Sequence, residues 1–283
     1  MKPDWLNLRL NVVPYNRLGD RIIAWKKFLA RHRRLPSQKK MLWNDVLYRL
    51  KTSDALRDPL RVFVSDKEHV KDYVKAVAGD HYNVPTIDVI RNVDSVRTYP
   101  FPPNCCIKPT QASGQVILRK GNAPLDLDRI ESWFKLNQYH AGREINYRYL
   151  KPKIIIEPLI FDTDNIEDYK FFCYDGVPKI VQVDVDRQRT HERSLLDMQW
   201  RDLGWSIIYP KADEPPAKPA NFDEMRALAS TLSAGFDGFI RIDLYSNGSQ
   251  IYLGEITNVS GNAQGNFRPP EAEVEASKIL FSN

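Results

Sequence analysis

The stretch RIDLYSNGSQIYLGEITNVSG, residues 241–261, decides how this chain is read. It has the punctuation of two strands joined by a Ser-Asn-Gly-Ser turn, and it carries two carboxylates, Asp243 and Glu255. A carboxylate in a half-buried strand is costly unless something cationic meets it. Side chains alternate faces along a strand, so a slip of one residue reverses all of them. A hairpin turning on Asn247 and Gly248 alone would set Asp243 opposite Tyr252 and point Glu255 away. The acids share a face only if the loop holds an odd number of residues or one strand bulges. A three-residue loop would set Arg241 opposite Glu255 with Asp243 diagonal, and a five-residue loop would oppose Asp243 and Glu255 directly. Either suits a hard cation held by oxygen ligands. An Arg–Asp–Glu surface ion network is the alternative reading.

Upstream segments supply complementary charges. CIKPTQASGQV ends an apolar strand at Lys108 and continues into a loop of small residues that includes Ser113 and Gly114. Backbone amides of such a loop can cradle phosphate oxygens while a lysine adds a point charge. The lysine precedes the glycine, so this is not a P-loop. KIIIEPLI ends a strand in Glu157, either an exposed strand end or an acceptor for an exocyclic amine. DYKFFCYDG sets Asp168 and Lys170 on one face by period two, and DVDRQR puts Arg187 at a strand end.

The rest of the chain frames these pieces. Leu18, Ile22, Trp25 and Leu29 repeat at helix spacing, as do Trp43, Val46, Leu47 and Leu50. SDKEHVKDYVKAV opens with a Ser-x-x-Glu capping box, Ser65 and Glu68, ahead of the stripe Val70, Tyr73, Val74 and Val77. Short strands punctuated by Gly, Pro and Asn follow. Helices are expected around LDLDRIESWFKLNQ and at NFDEMRALASTLSA, capped by Asn221 with Glu224 in its first turn. The fold class is α+β, divided into a helical segment 1–60 and two lobes, 61–157 and 158–283.

Composition narrows the function classes. The 283 residues carry a net charge of +5, but residues 1–51 hold 13 Lys and Arg against three acids. A solvated basic face is one reading, and contact with a polyanion such as membrane headgroups or an acidic glycan is the other. No nucleic-acid module accompanies the charge, so no nucleic-acid partner is expected. There is no apolar run of membrane-spanning length and no signal-peptide core, and the three cysteines have no metal-ligand spacing. A cytoplasmic location is therefore expected, with peripheral contact at the inner membrane face through the basic N-terminus. Five scattered histidines with no H-E-x-x-H argue against zinc, and no G-x-S-x-G elbow is present.

In their order, SDKEHVKDYV, IKPTQASG, IIIEPL, DYKFFCYDG, RIDLY and YLGEIT resemble the ATP-grasp superfamily, and within it the TupA-like family of bacterial surface-polysaccharide and teichuronopeptide synthesis. The resemblance covers roughly residues 40–270. It implies an ATP-grasp fold of two α/β lobes gripping ATP, with Mg²⁺ (alternatively Mn²⁺) as the ion. Carried over residue by residue, it puts Lys67 and Lys108 on the phosphates under the 110–115 loop, Ser113 and Gly114 included. Glu157 would meet the adenine amine beside the backbone of Pro158 and Ile160, with Asp168 also at the nucleotide. Asp243 and Glu255 would hold the metal, and Arg241, Lys170 and Arg187 would surround the reacting oxygens. The family position two residues beyond the glutamate is Thr257 here, so Asn258, Thr257 and water all stand as the third ligand. The implied reaction is ATP-dependent amide formation through an acyl phosphate, with a uronic acid of an acidic glycan and an amino acid or amino sugar as substrates. A kinase or a metal-dependent glycosyltransferase in the same cleft is the alternative.

Overall fold

The computed structural model describes residues 13–161, 166–185 and 192–282. Helices α1 (Arg17–His32), α2 (Trp43–Thr52), α3 (Pro59–Phe63) and α4 (His69–Val77) come first. Strands β1 (Asp88–Ile90), β2 (Cys105–Pro109) and β3 (Ile117–Arg119), short helices α5 (Leu127–Ser132) and α6 (Gln138–Gly142), and strand β4 (Ile154–Pro158) follow. Then come β5 (Glu167–Tyr174), β6 (Val177–Val185), β7 (Glu192–Asp197), β8 (Ser206–Ile207), α7 (Phe222–Ser233), β9 (Phe239–Ser246), β10 (Ile251–Thr257), β11 (Phe267–Arg268) and α8 (Ala272–Phe281). The strands build a four-stranded sheet, β1-β4-β2-β3, and a five-stranded sheet, β10-β9-β5-β6-β7, with every pair antiparallel. This is the α+β class expected. Among the described residues no helix is long and apolar enough to cross a membrane.

Alternation assigns each sheet two different faces. On the large sheet Tyr169, Phe171, Val181, Ile240, Ile242 and Leu244 point into a core closed by Phe222, Met225 and Leu232 of α7 and by Val70 and Val74 of α4. The other face is divided. Its lower half, Phe172, Ile180, Leu195 and Phe239, is covered by α1, α2 and α8. Trp43 of α2 packs edge-on against Phe172 at 4.8 Å between ring centroids and against Phe267 at 5.6 Å. The upper half is polar. On the small sheet Cys105, Ile107, Ile154 and Ile156 face a core with Ile130 and Trp133, leaving Cys106, Lys108, Ile155 and Glu157 on the opposite side.

Two expectations about the helices are corrected. The stripe Leu18–Ile22–Trp25 of α1 is exposed, and the docked face is Gly19, Ile23, Ala24 and Phe28. Helix spacing alone does not say which of two apolar stripes finds a partner, and Phe28 meets Tyr48 of α2 at 5.3 Å. The capping box does not form either. Ser65 Oγ donates to Arg61 O at 2.7 Å and α4 starts only at His69, while Glu68 pairs with Lys153 at 2.5 Å. Part of the basic run 31–40 is also used inside the molecule. Arg34 Nη1 donates to both oxygens of Asp45, Arg31 Nε donates to Gln264 O at 3.0 Å, and His32 Nε2 lies 3.0 Å from Ala263 O.

Candidate active site

The decisive hairpin turns through the four residues 247–250, with Ile251 opposite Ser246. That even loop sets the wrong parity for the acids, and a bulge between Leu253 and Glu255 restores it. Beyond the bulge Glu255 lies directly opposite Asp243, and Thr257 opposite Arg241. Gly254 is the inserted residue. A Cβ there would come within 2.9 Å of the Tyr245 ring and 3.3 Å of Asp243 O, so the close backbone approach requires glycine. Neither loop length weighed from the sequence is used, but the bulge alternative is.

Directly opposed like charges destabilise a ladder, by roughly 0.2–1 kcal/mol for an exposed pair. Here Arg241 answers them. Its Nε and Nη2 donate to the two Asp243 oxygens at 2.6 and 2.7 Å, and Nη2 also donates to Glu255 Oε1 at 3.1 Å. Lys170, opposite Asp243 on β5, donates to Asp243 Oδ2 at 3.2 Å and pairs with Asp168 on its own strand. Thr257 Oγ1 donates to Glu255 Oε1 at 2.5 Å and accepts from Arg241 at 3.0 Å. Burial pushes Glu255 up, but Arg241, Lys67, the Thr257 hydroxyl and Lys170 outweigh it and hold the acid at about 2. For Asp243 burial prevails. Its carboxyl is raised despite Arg241 and Lys170, with Glu255 and Asp168 adding to the rise.

Across the cleft stand the lysines. Glu157 opposes Cys106 on β2 and is flanked by Lys108 at 2.6 Å and Lys71 at 2.5 Å. Burial works against the charge of Glu157, yet these two lysines hold its carboxyl below the ordinary value. Lys108 is held above its own, because Glu157, Cys106 and Glu255 outweigh burial. Lys67 donates to Ala112 O at 2.5 Å and its amide to Thr110 O at 3.1 Å, which fastens the small-residue loop to the start of α4. Burial and Lys108 lower Lys67 against the pull of Glu255. Glu255 thus acts on both lysines, and Cys106 on the buried Tyr245 phenol, so the two polar faces look at each other.

Most of the expected residues are brought together: Lys67, Lys108, Glu157, Asp168, Lys170, Arg241, Asp243 and Glu255. Pro158 ends β4, and Ile160 follows it in the connection toward the large sheet. Ser113 and Gly114 are exposed in the loop, with Gly114 at φ +75°. Arg187 lies outside the described residues. Asn258 is the exception, and its assignment to the metal is corrected. Its Oδ1 accepts from Arg61 at 3.0 Å, and its Nδ2 donates to Arg61 O and Ser65 Oγ, so the amide is committed to α3. Of the alternatives, Thr257 is the side chain beside the acid pair. Sequence reasoning missed Lys71, although it stands four residues after Lys67, and it missed Glu144, Tyr147 and Lys51, whose local sequence carries no signal. The donor set fits a small hard dication: two opposed carboxylates and a hydroxyl, facing lysines that suit a polyphosphate.

No curated protein matches the chain. Among solved structures it is similar to an L-amino acid ligase from Bacillus licheniformis (12% identity, 88% of this chain, TM-score 0.49). It is also similar to D-alanine–D-alanine ligases from Helicobacter pylori (17%, 72%, 0.39) and, complexed with ATP, from Bacillus anthracis (16%, 70%, 0.37). The chain spans 56% of the length of each. Likenesses this distant carry no inference about reaction. The family model described as TupA-like ATPgrasp matches residues 45–277, which runs from within α2 to within α8 and takes in all the strands. On that match, the chain belongs to the TupA-like ATP-grasp family.

Proposed function

We propose that this protein is an ATP-dependent carboxylate–amine ligase that joins an amino acid or amino sugar to a uronic-acid carboxylate of a bacterial surface glycan. The observation that carries the reading is the bulged ladder that opposes Asp243 and Glu255 under Arg241, with Glu255 acting on Lys67 and Lys108. In such a reaction ATP phosphorylates the substrate carboxylate, and the amine then displaces phosphate from the acyl phosphate. Asp243 and Glu255, with Thr257 beside them, would hold Mg²⁺. The ion's contribution, when bound, is positive charge shared among the phosphate oxygens.

The chain's own residues account for the rest by position and charge. Lys67 and Lys108 would neutralise the transferring phosphate oxygens, and the loop at 110–115 is tied to Lys67. Glu157 keeps Lys108 charged and fixes its direction. Arg241 presents a guanidinium whose charge is secured by Asp243 and Glu255, and Lys170 stands beside it. These cations answer negative charge that develops on the acyl oxygen. No protein nucleophile is required.

The acidic glycan rests on the family resemblance, with slight physical support from the basic N-terminal segment, and peripheral contact with an anionic membrane surface is part of the same proposal. The test is phosphate release from ATP and Mg²⁺ with a panel of uronic acids, each with and without amino acids. Release that needs both partners supports the ligase. ADP formed without any amine would make the protein a kinase. Release of UDP or GDP from a nucleotide sugar would make it a glycosyltransferase.

A further inference from the structure

A third carboxylate is buried near the acid pair. Glu144 follows α6 and is only 7% exposed. A charge at that depth is costly without a donor. Yet among the described residues no hydrogen bond and no ion pair within 4.0 Å reaches its side-chain oxygens. Lys51 would be the natural partner, but its ammonium is turned to Gly142 O at 2.8 Å and to Asn262 Oδ1. Burial pushes the Glu144 carboxyl up against the pull of Lys51 and Lys27, and brings Lys51 down to about 8.

Glu144 belongs to the same cleft. The turn after β10 holds Arg241 through Ser260 Oγ at 3.0 Å, and two residues later Asn262 Nδ2 donates to Gly142 O at 3.3 Å. A Cβ on Gly142 would lie 2.7 Å from Glu144 Oε2, so the missing side chain is what leaves room for the carboxylate. Gly261, Asn262 and Ala263 are all left-handed, at φ 56°, 58° and 58°. Two of them are not glycine, and such strain persists where surrounding structure enforces it. The phenol of Tyr147 is raised by burial, by Glu144, and by Glu255 and Asp243, so it feels the charge of both acidic centres.

The geometry points to Glu144 as the acceptor-amine subsite, whose carboxylate receives the ammonium of the incoming amino acid or amino sugar and takes one proton from it. This rests on the ligase reading above. Glu144 accepts one proton from the ammonium, and the freed lone pair on nitrogen forms the C–N bond at the acyl carbon. The bond from that carbon to the phosphate oxygen breaks, its electron pair leaves on phosphate, and a second nitrogen proton passes to the phosphate. One hydrogen stays on the amide.

The experiment compares two nucleophiles on the full chain with ATP, Mg²⁺ and either D-glucuronate or D-galacturonate. Hydroxylamine is unprotonated at neutral pH and needs no base, whereas the amines of twenty amino acids and of D-glucosamine arrive as ammonium ions. Glu144→Gln should raise the ratio of hydroxamate to amide by about 10²–10⁴-fold, the usual contribution of a positioned base. Glu144→Asp, which keeps a carboxylate at shorter reach, should give an intermediate ratio. An unchanged ratio in Glu144→Gln, whether both products fall together or both persist, overturns the assignment. If the wild-type chain forms neither hydroxamate nor ADP with either uronate, the ligase reading has failed and the subsite falls with it.

Discussion

Two antiparallel strand pairs bring acids to the cleft, and they handle the charge in opposite ways. In the β2–β4 pair, Glu157 has Lys108 on the neighbouring strand and Lys71 from α4, so its charge is balanced locally. In the β9–β10 pair, two acids face each other and share Arg241, with Lys170 from β5 and the more distant Lys67 adding positive charge. The first arrangement is complete in itself. The second concentrates negative charge on one spot of a buried face, which is what a divalent ion would need. Plain alternation is enough for the first pair, while the second needs Gly254 to shift the register.

The largest effect expected from this contrast is on catalysis. Asp243→Asn or Glu255→Gln should reduce ATP-dependent phosphate release by at least about 10²–10³-fold, with far-UV circular dichroism unchanged. Near-normal turnover in either variant would break the metal assignment. Gly254→Val should come next. The added side chain meets Tyr245 and the Asp243 carbonyl, so both activity and stability should fall, the latter by about 1–3 kcal/mol in denaturant titration. A valine accepted at wild-type stability would mean that the bulge is not what aligns the acids.

Lys108→Met should act mainly on nucleotide affinity. The KM for ATP should rise about tenfold or more, while thermal stability changes little because Lys71 still holds Glu157 at 2.5 Å. A stability loss as large as that of Gly254→Val would show that the small-sheet pair is not self-sufficient. The acid limb probes both pairs, since Glu157 is also held below its ordinary value. Glu255 is held at about 2, so the stability it contributes is full above its ordinary value and is lost as the pH falls toward 2. In Glu255→Gln the dependence of melting temperature on pH in that range should flatten. Asn258→Ala should matter least for catalysis. It should lower stability by about 1–3 kcal/mol through the buried Arg61 network and leave the Mg²⁺ activation constant unchanged, whereas Thr257→Val should shift that constant.

How much of this could be read in advance follows from the same contrast. Period-two alternation in DYKFF put Asp168 and Lys170 on one face, and the two do pair there, beside Asp243. Parity in residues 241–255 showed that something irregular was needed, but it could not choose between an odd loop and a bulge. Helix spacing found α1 yet chose its exposed stripe, because the partner Tyr48 lies on another helix. Asn258 misled because it is one step off the strand's alternation, which turns its amide toward Arg61. Glu144 and Lys51 were out of reach. Their surroundings depend on a turn 120 residues downstream of Gly142, where Asn262 bonds both the Gly142 carbonyl and the Lys51 ammonium.

The division of the large sheet's inner face has one more consequence. Phe172 and Lys170 stand two residues apart on β5, one clamped beneath Trp43 and the other reaching Asp243. Aromatic packing from the first helices therefore sets the aim of an ammonium group at the reacting centre. The cleft's oily floor and its charged wall share one strand, and whatever loosens the one blurs the other.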